Sequence, residues 1–155
     1  MSLGAAPSTL ARLREAAAAR VLDVQGLRRA RQELCSRQFL LDVETQATRA
    51  DAAWQADYRR IASSLRNEWA DAARRRAIGA KLVELIGVTG GAGLFVASIA
   101  AALAMGGRAW VSLLPAAGGL MTAYAGSSWY ALLTIEQGLY DDLTKGIERV
   151  IEKLP

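Results

Sequence analysis

Residues 85–107 are 23 consecutive positions without a charge, and after the single Arg108 residues 109–135 are 27 more. A helix needs about 20 apolar residues to cross ~30 Å of hydrocarbon. Either stretch is long enough, and Gly106, Gly107 and Arg108 leave room for only a tight turn between them. The pair folds either as a membrane hairpin or as the buried centre of a helical bundle.

Three features favour the hairpin, with spans at about residues 85–105 and 110–133. Basic residues crowd one end: Arg66, Arg74, Arg75, Arg76 and Lys81 precede the first stretch, Lys145, Arg149 and Lys153 follow the second, and only Arg108 lies between. That asymmetry predicts an inner-membrane protein with both termini cytoplasmic. Aromatic residues mark both ends, Trp110 at the turn and Trp129, Tyr130 and Tyr140 at the other side. Small residues line the helices, where lipid gives no hydrophobic drive and close backbone approach must supply the packing. Gly87 and Gly91 form a GxxxG, Gly93, Ala97 and Ala101 extend it, and Gly118, Thr122 and Gly126 make a matching line. These lines serve contacts inside the hairpin or between subunits. Against insertion, Ser98, Ser112, Thr122, Tyr124, Ser127 and Ser128 make the stretches only moderately apolar.

Thr89-Gly90-Gly91-Ala92-Gly93 resembles the start of the TGxxGxxG nucleotide loop of short-chain dehydrogenases. In that family the last glycine falls where this chain has Val96, whose side chain obstructs the close helix–strand contact. No acid occupies positions 109–135, and no Lys-Ser/Thr follows to make a phosphate loop. Nucleotide binding is therefore not expected.

The absence of histidine removes the commonest acid/base and metal-ligating side chain. Cys35, alone, excludes an internal disulfide and reads as a small helix-compatible residue. No enzyme activity, cofactor or metal is expected. The first thirty residues hold no continuous apolar segment, so no cleavable secretory signal is expected.

Residues 1–80 read as a cytoplasmic, coiled-coil-like helical region. Pro7 and Ser8 punctuate a helix start, and Leu10, Leu13, Ala17, Val24, Leu27, Leu34 and Leu41 follow a loose 3-4 spacing. Gly26 and residues 35–38 are weak points, leaving one rod or a folded-back pair. Trp54, Tyr58, Ile61, Leu65 and Trp69, spaced by 4, 3, 4 and 4, form a stripe for a cytoplasmic protein contact. Glu33 with Arg37 and Asp71 with Arg75 suit i,i+4 pairing. Residues 136–155 carry Leu139, Leu143, Ile147, Val150, Ile151 and Leu154 at helical spacing, an amphipathic C-terminal helix.

The expected class is thus an all-α membrane protein: amphipathic helices, a two-span hairpin over residues 81–135, and a C-terminal amphipathic helix. Two spans enclose no water-filled path, so a pore requires a homo-oligomer. Glu84 and Glu136 are either cation-favouring charges at a pore mouth or plain interfacial charges, with Arg108 at the opposite mouth. Arg74, Arg75, Arg76 and Lys81 face anionic lipid rather than nucleic acid. Cytoplasmic helices followed by a two-span hairpin look like the layout of small two-span effectors of bacterial defence systems, which permeabilise the cell's own membrane. No residue motif carries that match, and no site residue is transferred from it. The alternatives are a non-conducting anchor or scaffold recruiting a protein partner, and a soluble helical toxin or cargo that inserts its hairpin.

Overall fold

The computed structural model describes residues 8–18, 23–105 and 113–154. It is all-α, with no strand among the described residues. The helices are α1 (Thr9–Ala18), α2 (Val24–Leu34), α3 (Arg37–Ala47), α4 (Ala52–Val83), a π-helical segment (Glu84–Gly90), α5 (Gly91–Met105) and α6 (Leu113–Glu152). They fall into two compact units, one of Met1–Ala73 with Glu136–Pro155, the other of Arg74–Ile135.

The N-terminal region is neither one rod nor a simple pair, because Ser and Asp residues restart the helix repeatedly. Each offers a side-chain oxygen to an N–H three residues on, which an opening helix cannot satisfy internally. Ser8 accepts from Ala11 at 3.2 Å, Asp23 from Gly26 at 2.6 Å, Ser36 from Phe39 at 3.1 Å and Asp51 from Trp54 at 2.8 Å. Gly26 therefore sits inside the first turn of α2, and the breaks fall at Cys35–Ser36 and at residues 48–51. The break at Cys35 also places Glu33 and Arg37 on different helices, so their expected i,i+4 geometry does not arise.

Restarting the helix resets its phase. Leu13, Leu27 and Leu34 of the expected seam are buried, but Leu41 is 47% exposed and Ala17 also faces out. Phe39 and Val43 take the core positions on α3. The first unit closes around these residues with Tyr58, Leu65 and Trp69 of α4, Leu139, Leu143, Ile147 and Val150 of α6, and Leu154 just beyond it. All six apolar positions read in the C-terminal segment reach this core, Ile151 from its edge. That segment is the end of the 40-residue α6, not a separate helix.

Surface ion pairs join the helices: Arg14–Asp57 at 2.5 Å, Arg31–Asp142 at 2.9 Å and Lys153–Glu44 at 3.5 Å. Exposed pairs of this kind contribute about 0–1 kcal/mol each, so apolar burial holds the unit together. Asp57 also pairs with Arg60 at 2.6 Å. Hydrogen bonds from Arg14 and Arg60 hold its carboxyl below the usual aspartate value. Burial raises the Tyr58 phenol above its ordinary value, with the Thr9 hydroxyl partly opposing the shift. The Tyr58 hydroxyl has no hydrogen-bond partner among the described residues, and Thr9 donates to Gln46 Oε1 at 2.5 Å.

Candidate functional site

The second unit is an antiparallel pair in which two backbones meet almost without side chains between them. A Cβ placed on Gly91 would lie 2.5 Å from the Ala123 nitrogen and 2.7 Å from the Gly119 oxygen. On Gly87 it would lie 2.9 Å from the Gly126 Cα, and on Gly126 it would lie 2.8 Å from the Gly87 Cα. On Gly119 it would lie 2.7 Å from the Phe95 nitrogen. Distances this short admit only hydrogen as the side chain and bring the two backbones into direct dispersion contact.

Gly87, Gly91 and Gly126 are therefore packing residues inside the pair. The rest of the expected lines lies elsewhere: Gly93 and Gly118 have open space where a Cβ would be, Ala97 and Thr122 are exposed, and Ala101 is half-buried. The line on α6 is Ala116, Gly119, Ala123 and Gly126, which the spacing missed by one residue. Seven residues make nearly two turns and return to the same face, whereas the eight from Gly118 to Gly126 drift by about 80°. On the first arm the same seven-residue step joins Gly91 to the buried Ser98.

The unit is small inside and large outside. Leu85, Ile86, Val96, Leu103, Leu113, Leu114, Leu120 and Met121 are all more than half exposed, Leu103 at 82%. One uninterrupted helical run, Ala52–Ala104, contains a window long and apolar enough to cross a membrane, and only 11% of that window is buried. A core helix of a soluble bundle would be mostly buried, whereas this window is largely uncovered by the described residues. Among the described residues α6 does not reach the same apolarity. Its hydroxyls are satisfied along its own backbone: Thr122 donates to Gly118 at 2.8 Å, Ser127 to Tyr124 at 2.7 Å and Thr134 to Tyr130 at 2.8 Å.

Residues 89–93, which resemble a nucleotide loop, are helical throughout: the π segment ends at Gly90 and α5 begins at Gly91. The Thr89 hydroxyl donates to the Glu84 carbonyl five residues back, at 3.2 Å.

Of the aromatic residues expected at this end, Trp129 and Tyr130 are exposed, at 66% and 37%, and Tyr140 is buried in the core of the first unit. Glu84 is exposed in the second unit, and Glu136 is half-buried in the first. Arg74, Arg75 and Lys81 are exposed, and Arg76 is half-buried. Arg108, Trp110 and the expected tight turn lie outside the described residues.

The stripe expected to recruit a protein partner is used internally. Tyr58 and Leu65 are at most 1% exposed, Trp69 is 5% exposed, and Trp54 and Ile61 pack against the same cluster. Five residues on one helical face describe a core face as well as a docking face, and here the neighbouring helices cover it. Cys35 sits nearby in chain fold terms, at the end of α2, where its thiol contacts the Asp142 carbonyl at 3.6 Å and Gly146 leaves room for the sulfur. Burial raises the thiol's pKa, which keeps it protonated and poorly nucleophilic. It lines a cavity of about 350 Å³ with Arg31, Gln32, Ser36, Asp142 and Arg149.

Comparison with protein-family models, curated proteins and solved structures returns no match.

Proposed function

We propose that this chain is a small oligomeric protein of the inner membrane in which the π-helical segment with α5, and then α6, cross the bilayer, and whose assembled copies form or gate an ion path. The observation carrying the reading is the inverted second unit: glycine, alanine and serine at the seam, and leucine, isoleucine and valine outside. In water that surface would be costly, whereas in hydrocarbon it is the ordinary outside of a spanning helix. The basic flanks favour both termini on the cytoplasmic side.

Backbone contact along the seam leaves no lumen in one copy, so conduction depends on several copies around an axis. The less apolar α6, with exposed Thr122, Ser127 and Ser128, is the arm suited to face other copies or the path. Glu84, exposed near one end of the pair, would recur around the mouth of such a ring and favour cations. Ion flux through liposomes holding the purified protein tests the proposal. Flux should appear, and Glu84→Gln together with Glu136→Gln should lower its cation preference. Silence at every pH and voltage tried, from protein that is embedded and oligomeric, would instead make it a non-conducting anchor. The tight seam of the single pair favours that second reading.

A further inference from the structure

At the base of the second unit, α4 presents cations and apolar side chains on one exposed face. Arg74, Arg75 and Lys81 are exposed and make no ion pair among the described residues, and the Asp71–Arg75 pair suggested by their spacing is not formed. Arg74 and Lys81 are seven residues apart, which sets them on the same face about 10 Å apart along the axis. Ile78 and Leu85 are 53% and 65% exposed on that face.

Around the helix on the Arg75 side, which Leu82 shares seven residues on, a groove of about 300 Å³ is lined by Leu82, Val83, Ile86 and Gly87. Its position follows from local structure. The helix changes there from α to π at Glu84, which widens the turn. Glu84, one turn beyond Lys81, is the nearest carboxylate in sequence, and the two form no ion pair among the described residues.

We infer that this stretch of α4 is a binding site for one anionic phospholipid, its phosphate held by Arg74, Arg75 and Lys81 and an acyl chain lying in the groove where α4 becomes π-helical. The inference rests on the membrane reading above and adds to it a defined lipid partner. Charge complementarity selects the occupant: three unpaired cations would attract a zwitterionic headgroup far less than an anionic one. A purely surface attraction would need the cations alone, whereas the adjoining groove fixes one lipid at one place.

Native mass spectrometry of the full chain released from detergent tests the site with phosphatidylglycerol and phosphatidylcholine of identical chains. One phosphatidylglycerol per chain should survive activation that strips phosphatidylcholine. Arg74→Gln with Lys81→Gln should weaken its retention about fivefold for each charge removed. Ile86→Trp, which fills the groove and keeps every cation, should also release it. Equal retention of the two lipids, or retention unchanged in either variant, would overturn the site while leaving the membrane reading intact. Protein that stays soluble without detergent and floats with vesicles of neither composition would overturn both.

Discussion

At Gly91 a hydrogen atom is all that stands between two helix backbones, and at Gly93, two residues on, the same position faces open space. Gly91→Leu should therefore force the pair apart and lower its stability by about 1–3 kcal/mol or more. Gly93→Ala should raise it by up to about 1 kcal/mol through helix propensity. Unfolding in detergent followed by circular dichroism checks the pair, and equal effects at the two glycines would contradict the seam. The glycine-rich composition of this stretch was legible in the sequence, but which glycines touch depended on phase, and Gly118 beside Gly119 made both registers available. Asp57 supplies a pH test at the same scale. Because Arg14 and Arg60 lower its folded pKa, its contribution is complete above the unfolded value of about 4 and disappears as pH falls through the folded one. Protection of α1 amides from hydrogen exchange should therefore weaken on acidification in the wild type. Asp57→Asn should show the weaker protection already at neutral pH, and identical protection would remove the Arg14–Asp57 tether.

Among the elements, apolar periodicity disclosed the faces and not the ends. The stripe from Trp54 to Trp69 and the one from Leu139 to Leu154 are both core faces of the first unit, each at the residues its spacing marks. Covering is a tertiary property, so the spacing alone did not separate a docking face from an internal one. The breaks at Ser36 and Asp51 turn on side-chain capping that single Ser or Asp residues only suggest, and once they reset the phase, Leu41 gave way to Phe39 and Val43. The π segment left no periodic signature at all, because its seven residues are uniformly small or apolar apart from Glu84 and Thr89. The long exposed arm yields a direct prediction. Leu103→Lys, at an 82% exposed position, leaves the seam untouched. It should nevertheless reduce membrane retention, though by less than the ~2.5–3.5 kcal/mol of a lysine at a span centre, because Leu103 lies two residues from the end of α5 and its side chain can snorkel. Carbonate extraction of the variant beside Leu103→Ile reads the difference, and equal retention would place that face away from hydrocarbon.

For the molecule as a whole, the two long uncharged stretches, residues 85–107 and 109–135, both lie within the unit Arg74–Ile135. What the sequence left open was the use of the chain on either side, since residues far apart in number, such as Cys35 and Gly146, meet in one core. On the proposed function, the apolar outside of the spans at about residues 85–105 and 110–133 lies in lipid. This placement is tested most directly by spin labels at Val96 and Leu120, 64% and 56% exposed, in a Cys35→Ala background reconstituted in bilayers. Both labels should collide readily with dissolved oxygen and rarely with a water-soluble nickel chelate. Frequent collision with the chelate at both sites, in protein that remains helical, would contradict the account.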